Sequence, residues 1–140
     1  MIVVDASVAV KWYVLEQSTA KALDLLKKYQ GHIEVPDIFI IEVTGALVRR
    51  ANIDKSLRSE CEVSINRFTM LFDNKLIISQ RATDSLLTKA SKFALDLGHP
   101  LKDCVYLALA MELDCELVTC DVKFAEKARS TAAKVRVLDK

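Results

Sequence analysis

Residues 116–128 read ELVTCDVKFAEKA. The run from Glu116 to Thr119 is short, apolar and β-branched, which predicts a buried strand. Asp121 then stands where a helix cap would stand, before a short helix predicted from Val122 to Arg129. A strand that ends at an acidic residue and turns at once into a helix is a building unit of an α/β sheet.

Outward from this block the alternation continues to both ends of the chain. Downstream, Val135-Arg136-Val137 predicts a fifth strand. Upstream, Gly98-His99-Pro100 breaks the chain between a helix from Thr83 to about Leu97 and another from Lys102 to Leu113. Leu76-Ile77-Ile78 reads as the third strand. The helix before it covers about Lys55 to Leu71, with Leu57, Cys61, Ile65 and Phe68 at helical spacing. Asp37 is expected to cap a helix through Ile38, Ile41, Ala46 and Leu47 towards Asn52. Ile33-Glu34-Val35 is the second strand, ending at Pro36. Ser18 is expected to cap a helix carrying Ala22, Leu23, Leu25 and Leu26 that stops near Gly31. Ile2-Val3-Val4 is the first strand. Five strands separated by helices imply right-handed crossovers and a parallel sheet covered on both faces. Ligand sites in such sheets lie beyond the carboxyl ends of the strands, where the strand order switches. Asp5 ends the first strand and Asp121 follows the fourth.

The 140 residues suit one α/β domain spanning 1–140, and 51% hydrophobic residues with three Gly and two Pro suit a dense, regular fold. Lys plus Arg total 20 against 19 Asp plus Glu. Such a balance excludes a strongly basic nucleic-acid binder, so a polyanion would have to be handled locally, at a metal or a small basic rim. The MIVV start runs straight into Asp5 with no secretory pattern, and no apolar run is long enough to span a bilayer; a soluble, cytoplasmic protein without membrane contact is expected. Cys61, Cys104, Cys115 and Cys120 form no Cys-x-x-Cys pair and are expected to be reduced thiols. His32 and His99 have no cysteine at ligand spacing, so neither histidine nor cysteine is counted as a ligand and zinc is not expected.

Four acids stand out, and each has a bland reading. Asp5 and Asp121 can be plain helix caps. Asp103 opens a strongly apolar helix, where the macrodipole alone favours an acid by up to about 1 kcal/mol. Glu42 lies in IFIIEVTGAL, whose neighbours demand burial; it can snorkel or pair with Arg49 or Lys11. Together, however, they flank the same edge of the sheet. Two carboxylates roughly 4 Å apart repel by about 4 kcal/mol at an effective dielectric near 20. Four converging acids therefore call for a divalent cation, and an oxygen donor set selects Mg²⁺ or Mn²⁺. Such a site suits phosphodiester hydrolysis. Ser7 can orient groups at the site or be a first-turn residue, and Thr119 can hold an oxygen or be a strand residue. Lys11, Lys102 and Lys123 neighbour the acids and can steer phosphates or be ordinary surface lysines.

VVDASVAVKW, the Glu42 helix, DCVYLALAMEL and ELVTCDVKFAEKA together resemble the PIN-domain family, and within it the single-domain VapC-type toxin ribonucleases. The last block, with Thr119, Asp121 and Phe124 in the pattern Thr-x-Asp-x-x-Phe, is the most specific. The resemblance implies a three-layer α/β/α sandwich whose five-stranded parallel sheet has the order 3-2-1-4-5. It also implies a Mg²⁺- or Mn²⁺-dependent endoribonuclease, commonly a homodimer, held inactive by a cognate antitoxin protein. Carried over by residue, Asp5, Glu42, Asp103 and Asp121 are the catalytic, metal-binding quartet, with Ser7 and Thr119 as supporting hydroxyls. Cys104 departs from the Ala that many relatives carry after this Asp. The apolar positions Leu57, Ile65, Phe68 and Leu71 are expected to exceed what the domain can bury and to contribute a homodimer or antitoxin surface.

Three other readings compete. A housekeeping RNA-processing nuclease would carry the same site. A catalytically silent metal- or RNA-binding module would keep the fold, although the intact quartet argues against it. A phosphoacceptor receiver domain needs an Asp at the end of the third strand, where this chain has Ile78-Ser79-Gln80.

Overall fold

The computed structural model describes residues 1–140. Strand β1 (Ile2–Val4) is buried at every position. It pairs in parallel with β2 (Ile33–Pro36) on one side and β4 (Glu116–Thr119) on the other. β3 (Ile77–Gln80) pairs with β2, and β5 (Lys134–Val137) with β4, again in parallel. The order is β3-β2-β1-β4-β5, as the family resemblance implied. Burial follows from it: β1 and β2 are fully buried, whereas the edge strands β3 and β5 carry exposed positions.

The helices are α1 (Ala6–Val10), α2 (Thr19–Tyr29), α3 (Ile38–Ile53), α4 (Arg58–Asp73), α5 (Asp84–Leu97), α6 (Leu101–Glu112) and α7 (Val122–Ala128), with one 3₁₀ turn at Lys55–Leu57. They complete an α/β sandwich. α6 lies against β1, β2 and β4 and is covered by α5. Every residue from Cys104 to Ala110 is therefore buried, as expected of a helix that is apolar all round. No helix is long and apolar enough to cross a membrane.

Two expected caps fail for the same reason. Ser18 sits at the start of α2 in a left-handed conformation (φ 69°) with no capping bond; its hydroxyl donates to Asp139 instead. Asp37 is already helical, and its carboxylate accepts from the Ala82 N–H at 3.3 Å. In both, a partner distant in sequence replaces the local one. Thr83 does cap α5, accepting from the Leu86 N–H at 3.1 Å.

The expectation for the α4 face is corrected at Phe68. Phe68 is fully buried, with ring centroids 5.7 Å from Phe39 and 6.0 Å from Tyr13. Ile65 and Leu71 are half-buried against the core, and Leu57 is half-buried too. Phe39 of α3 and Tyr13 take Phe68 into the core, while Leu57, Ile65 and Leu71 keep part of their surface outside it. Val63 and Met70 are the outward apolar residues of α4. Ile41, in step with the apolar residues of α3, is 75% exposed and lines the cleft described next.

Candidate metal centre

Asp5 follows β1 directly and caps α1. Its Oδ1 accepts from the Ser7 N–H at 3.1 Å and the Ser7 hydroxyl at 2.5 Å. Its Oδ2 accepts from the hydroxyl of Thr119, the last residue of β4. The register Val4↔Val118 sets these two strand ends side by side. Two further bonds lace the loops together: the Cys120 N–H donates to Ser7 Oγ at 2.9 Å, and the Asp121 N–H donates to Thr119 Oγ1 at 3.0 Å. Ser7 and Thr119 thus tie one strand end to the other.

Burial pushes the Asp5 carboxyl up to about 6. The bonds from Ser7, Thr119 and the Val8 backbone oppose the rise, and the negative charge of Asp103 adds to it. Asp121 caps α7, accepting from the Phe124 N–H at 2.9 Å. The cap readings of Asp5 and Asp121 are therefore correct as far as they go. Capping uses one oxygen of Asp121 and is compatible with a second role at the other.

Glu42 extends from α3 to α6. It accepts from the Tyr106 hydroxyl at 2.7 Å and lies 3.6 Å from the Lys102 ammonium. Those partners replace the Arg49 or Lys11 considered from sequence, because Tyr106 and Lys102 of α6 are the groups within reach. Burial first, then the bond to Glu42, drives the Tyr106 phenol well above its ordinary range; it remains a donor. Asp103, in the first turn of α6, meets His99 with Oδ2···Nε2 at 2.7 Å.

Asp5, Glu42, Asp103 and Asp121 line one cleft of about 580 Å³ at the carboxyl end of the sheet. One ligand atom each from His99, Asp103 and Asp121 lies within 4.8 Å of the others. Asp5 and Glu42 face the same cleft outside that tight group, each held by its own partners. A carboxyl desolvated without a countercharge and three further carboxylates form an oxygen donor set that fits a divalent cation, with the His99 imidazole bonded to one of them.

The family model of the PIN domain matches residues 2–130. This chain belongs to the PIN-domain family. Solved structures give the same fold. A protein of Pyrobaculum aerophilum superposes with a TM-score of 0.73 at 17% identity, over 99% of this chain and 83% of that one. A VapC toxin of Mycobacterium tuberculosis, described as cleaving the sarcin-ricin loop, gives 0.69 at 14% identity over 90% and 94%. A toxin–antitoxin complex from Klebsiella pneumoniae gives 0.67 at 14% identity over 88% of each chain. No curated protein matches significantly.

The basic residues of this PIN domain divide. Lys102 lines the cleft. Lys11 is turned to Glu16 at 3.3 Å and the Gln17 carbonyl at 2.9 Å. Lys123 is exposed on α7 and does not line the cleft. Arg49 does line it and makes no ion pair, a position the sequence offered only as a partner for Glu42. The larger omission is His99, set aside because no cysteine stood at ligand spacing. The signal was the spacing His99-x-x-x-Asp103, which brings the two side chains together across the start of a helix.

Proposed function

We propose that this PIN domain is a Mg²⁺- or Mn²⁺-dependent endoribonuclease that hydrolyses RNA phosphodiesters, and that it acts as the toxin of a VapBC-type pair. The observation that carries this reading is the convergence of Asp5, Glu42, Asp103 and Asp121 on one cleft at the switch point of the sheet. Asp103 and Asp121 would hold the ion most directly, with Asp5 and Glu42 completing the acidic wall. A bound divalent ion supplies positive charge to the scissile phosphate and acidifies water beside it. Ser7 and Thr119 hold the Asp5 carboxylate in one orientation by hydrogen bonds to both of its oxygens. Tyr106 and Lys102 hold Glu42 towards the cleft. Lys102 and Arg49 at the rim attract the phosphate backbone, which a nearly neutral chain cannot do through its overall field.

The toxin assignment draws on the VapC toxin and the toxin–antitoxin complex among the similar structures. It includes a cognate antitoxin that holds the enzyme inactive, assembly as a homodimer, and a cytoplasmic setting. The test is cleavage of a panel of structured RNAs with Mg²⁺, with Mn²⁺ and with EDTA. Cleavage with either ion and none in EDTA is expected; full cleavage in EDTA overturns the metal-dependent reading. Growth arrest on expression, relieved by co-expressing a small DNA-binding protein encoded beside it, tests the toxin role.

A further inference from the structure

We infer that His99 is a positioning residue for Asp103, held in place by Phe124 and Lys127 of α7 so that it fixes the Asp103 carboxylate for the cation. This rests on the metal-dependent reading of the cleft. The His99 side chain is only 9% exposed. Its ring lies nearly flat on Phe124, with centroids 4.5 Å apart and planes 24° from parallel. That stacking leaves the two ring nitrogens in fixed directions. Nε2 meets Asp103 Oδ2 at 2.7 Å, and Nδ1 faces the Lys127 ammonium at 3.4 Å. Lys127 is anchored in turn on the Gly98 carbonyl at 3.2 Å.

The donor inventory then decides the tautomer. An ammonium has donors only, so Nδ1 accepts, and the ring proton sits on Nε2 and is donated to Asp103. Asp103 thereby has one oxygen occupied and its rotation fixed, while Oδ1 makes no hydrogen bond within the protein. One ring N–H on Oδ2 orients the carboxylate and leaves Oδ1 for the cation. Outer hydrogen bonds of this kind on ligating groups are worth roughly 10- to 100-fold in metal affinity. The arrangement also gives Phe124 of the Thr-x-Asp-x-x-Phe block a role, because α7 contributes Asp121 to the cleft and, one turn later, the platform for His99.

The experiment is calorimetric titration of Mn²⁺ and of Mg²⁺ into the wild type, His99→Phe and His99→Gln, with melting temperatures in EDTA. His99→Phe keeps an aromatic ring on Phe124 but has no donor. His99→Gln carries an amide donor that can reach the same oxygen. Expected results are a loss of roughly 10- to 100-fold in affinity for both ions in His99→Phe, and recovery of most of it in His99→Gln. Wild-type affinity in His99→Phe overturns the inference while leaving the metal-dependent reading standing. A loss in His99→Gln confined to Mn²⁺ also overturns it, because it makes His99 a ligand in its own right. A wild type that binds neither ion overturns both.

Discussion

Replacing Asp5 by Asn should make the metal-free protein more stable at neutral pH. Burial raises the folded-state carboxyl from its ordinary 3.8 to about 6. Between those values the folded chain holds a proton that the unfolded chain has released. Stability therefore falls as pH rises through this window and stays low above it. The difference corresponds to about 3 kcal/mol of strain from the ionised group. Asn carries no charge, can accept both Ser7 bonds through Oδ1, and can donate to Thr119 Oγ1 through Nδ2. Allowing about 1 kcal/mol for an imperfect amide geometry, the gain is about 2 kcal/mol, or roughly 6–10 °C in melting temperature for a chain of this size. The assay is thermal unfolding of both proteins in EDTA between pH 4.5 and 7.5. The variant should lead at pH 7.5, and the gap should close towards pH 4.5, where the wild-type carboxyl is neutral in the fold. Saturating Mn²⁺ should raise the wild type more than the variant, which keeps Asp103 and Asp121 but lacks the Asp5 charge. A variant that melts at or below the wild type in EDTA at pH 7.5, or a gap independent of pH, would refute the claim that Asp5 is held ionised at a cost.

Asp103→Asn removes a charge from the cleft while keeping the side chain's shape, so RNA cleavage should fall by a factor of roughly a hundred or more; melting in EDTA should hold or rise, whereas a less stable, fully active variant would make Asp103 only a helix-start residue. Phe68→Ala should cost about 3–5 kcal/mol, measured by urea unfolding of the metal-free protein, because it opens a void beneath Phe39 and Tyr13. A loss below about 1 kcal/mol, well short of a core cavity, with a changed oligomeric state by light scattering would return that residue to an intersubunit surface.

The alternation of elements is legible along the chain, at some points to the residue. Glu116–Thr119 is a strand in the fold as in the sequence pattern, and Gly98-His99-Pro100 separates two helices as expected. Apolar runs, helical spacing and Gly or Pro breaks act within a few residues, so no distant contact is needed to read them. The four acids were legible for the same reason, since strand ends and first helical turns mark them. What surrounds those acids depends on the packed chain. Ser18 and Asp37 yielded their capping roles to Asp139 and Ala82. Phe68 went inside because Phe39 and Tyr13 meet it there. Glu42 found Tyr106, 64 residues away. His99 became part of the cleft because α7 brings Phe124 under its ring and Lys127 to its second nitrogen. A buried polar group takes the partner that the packed sheet and helices bring within about 3 Å, and the parallel pairing of β1 with β4 determines which distant residues those are.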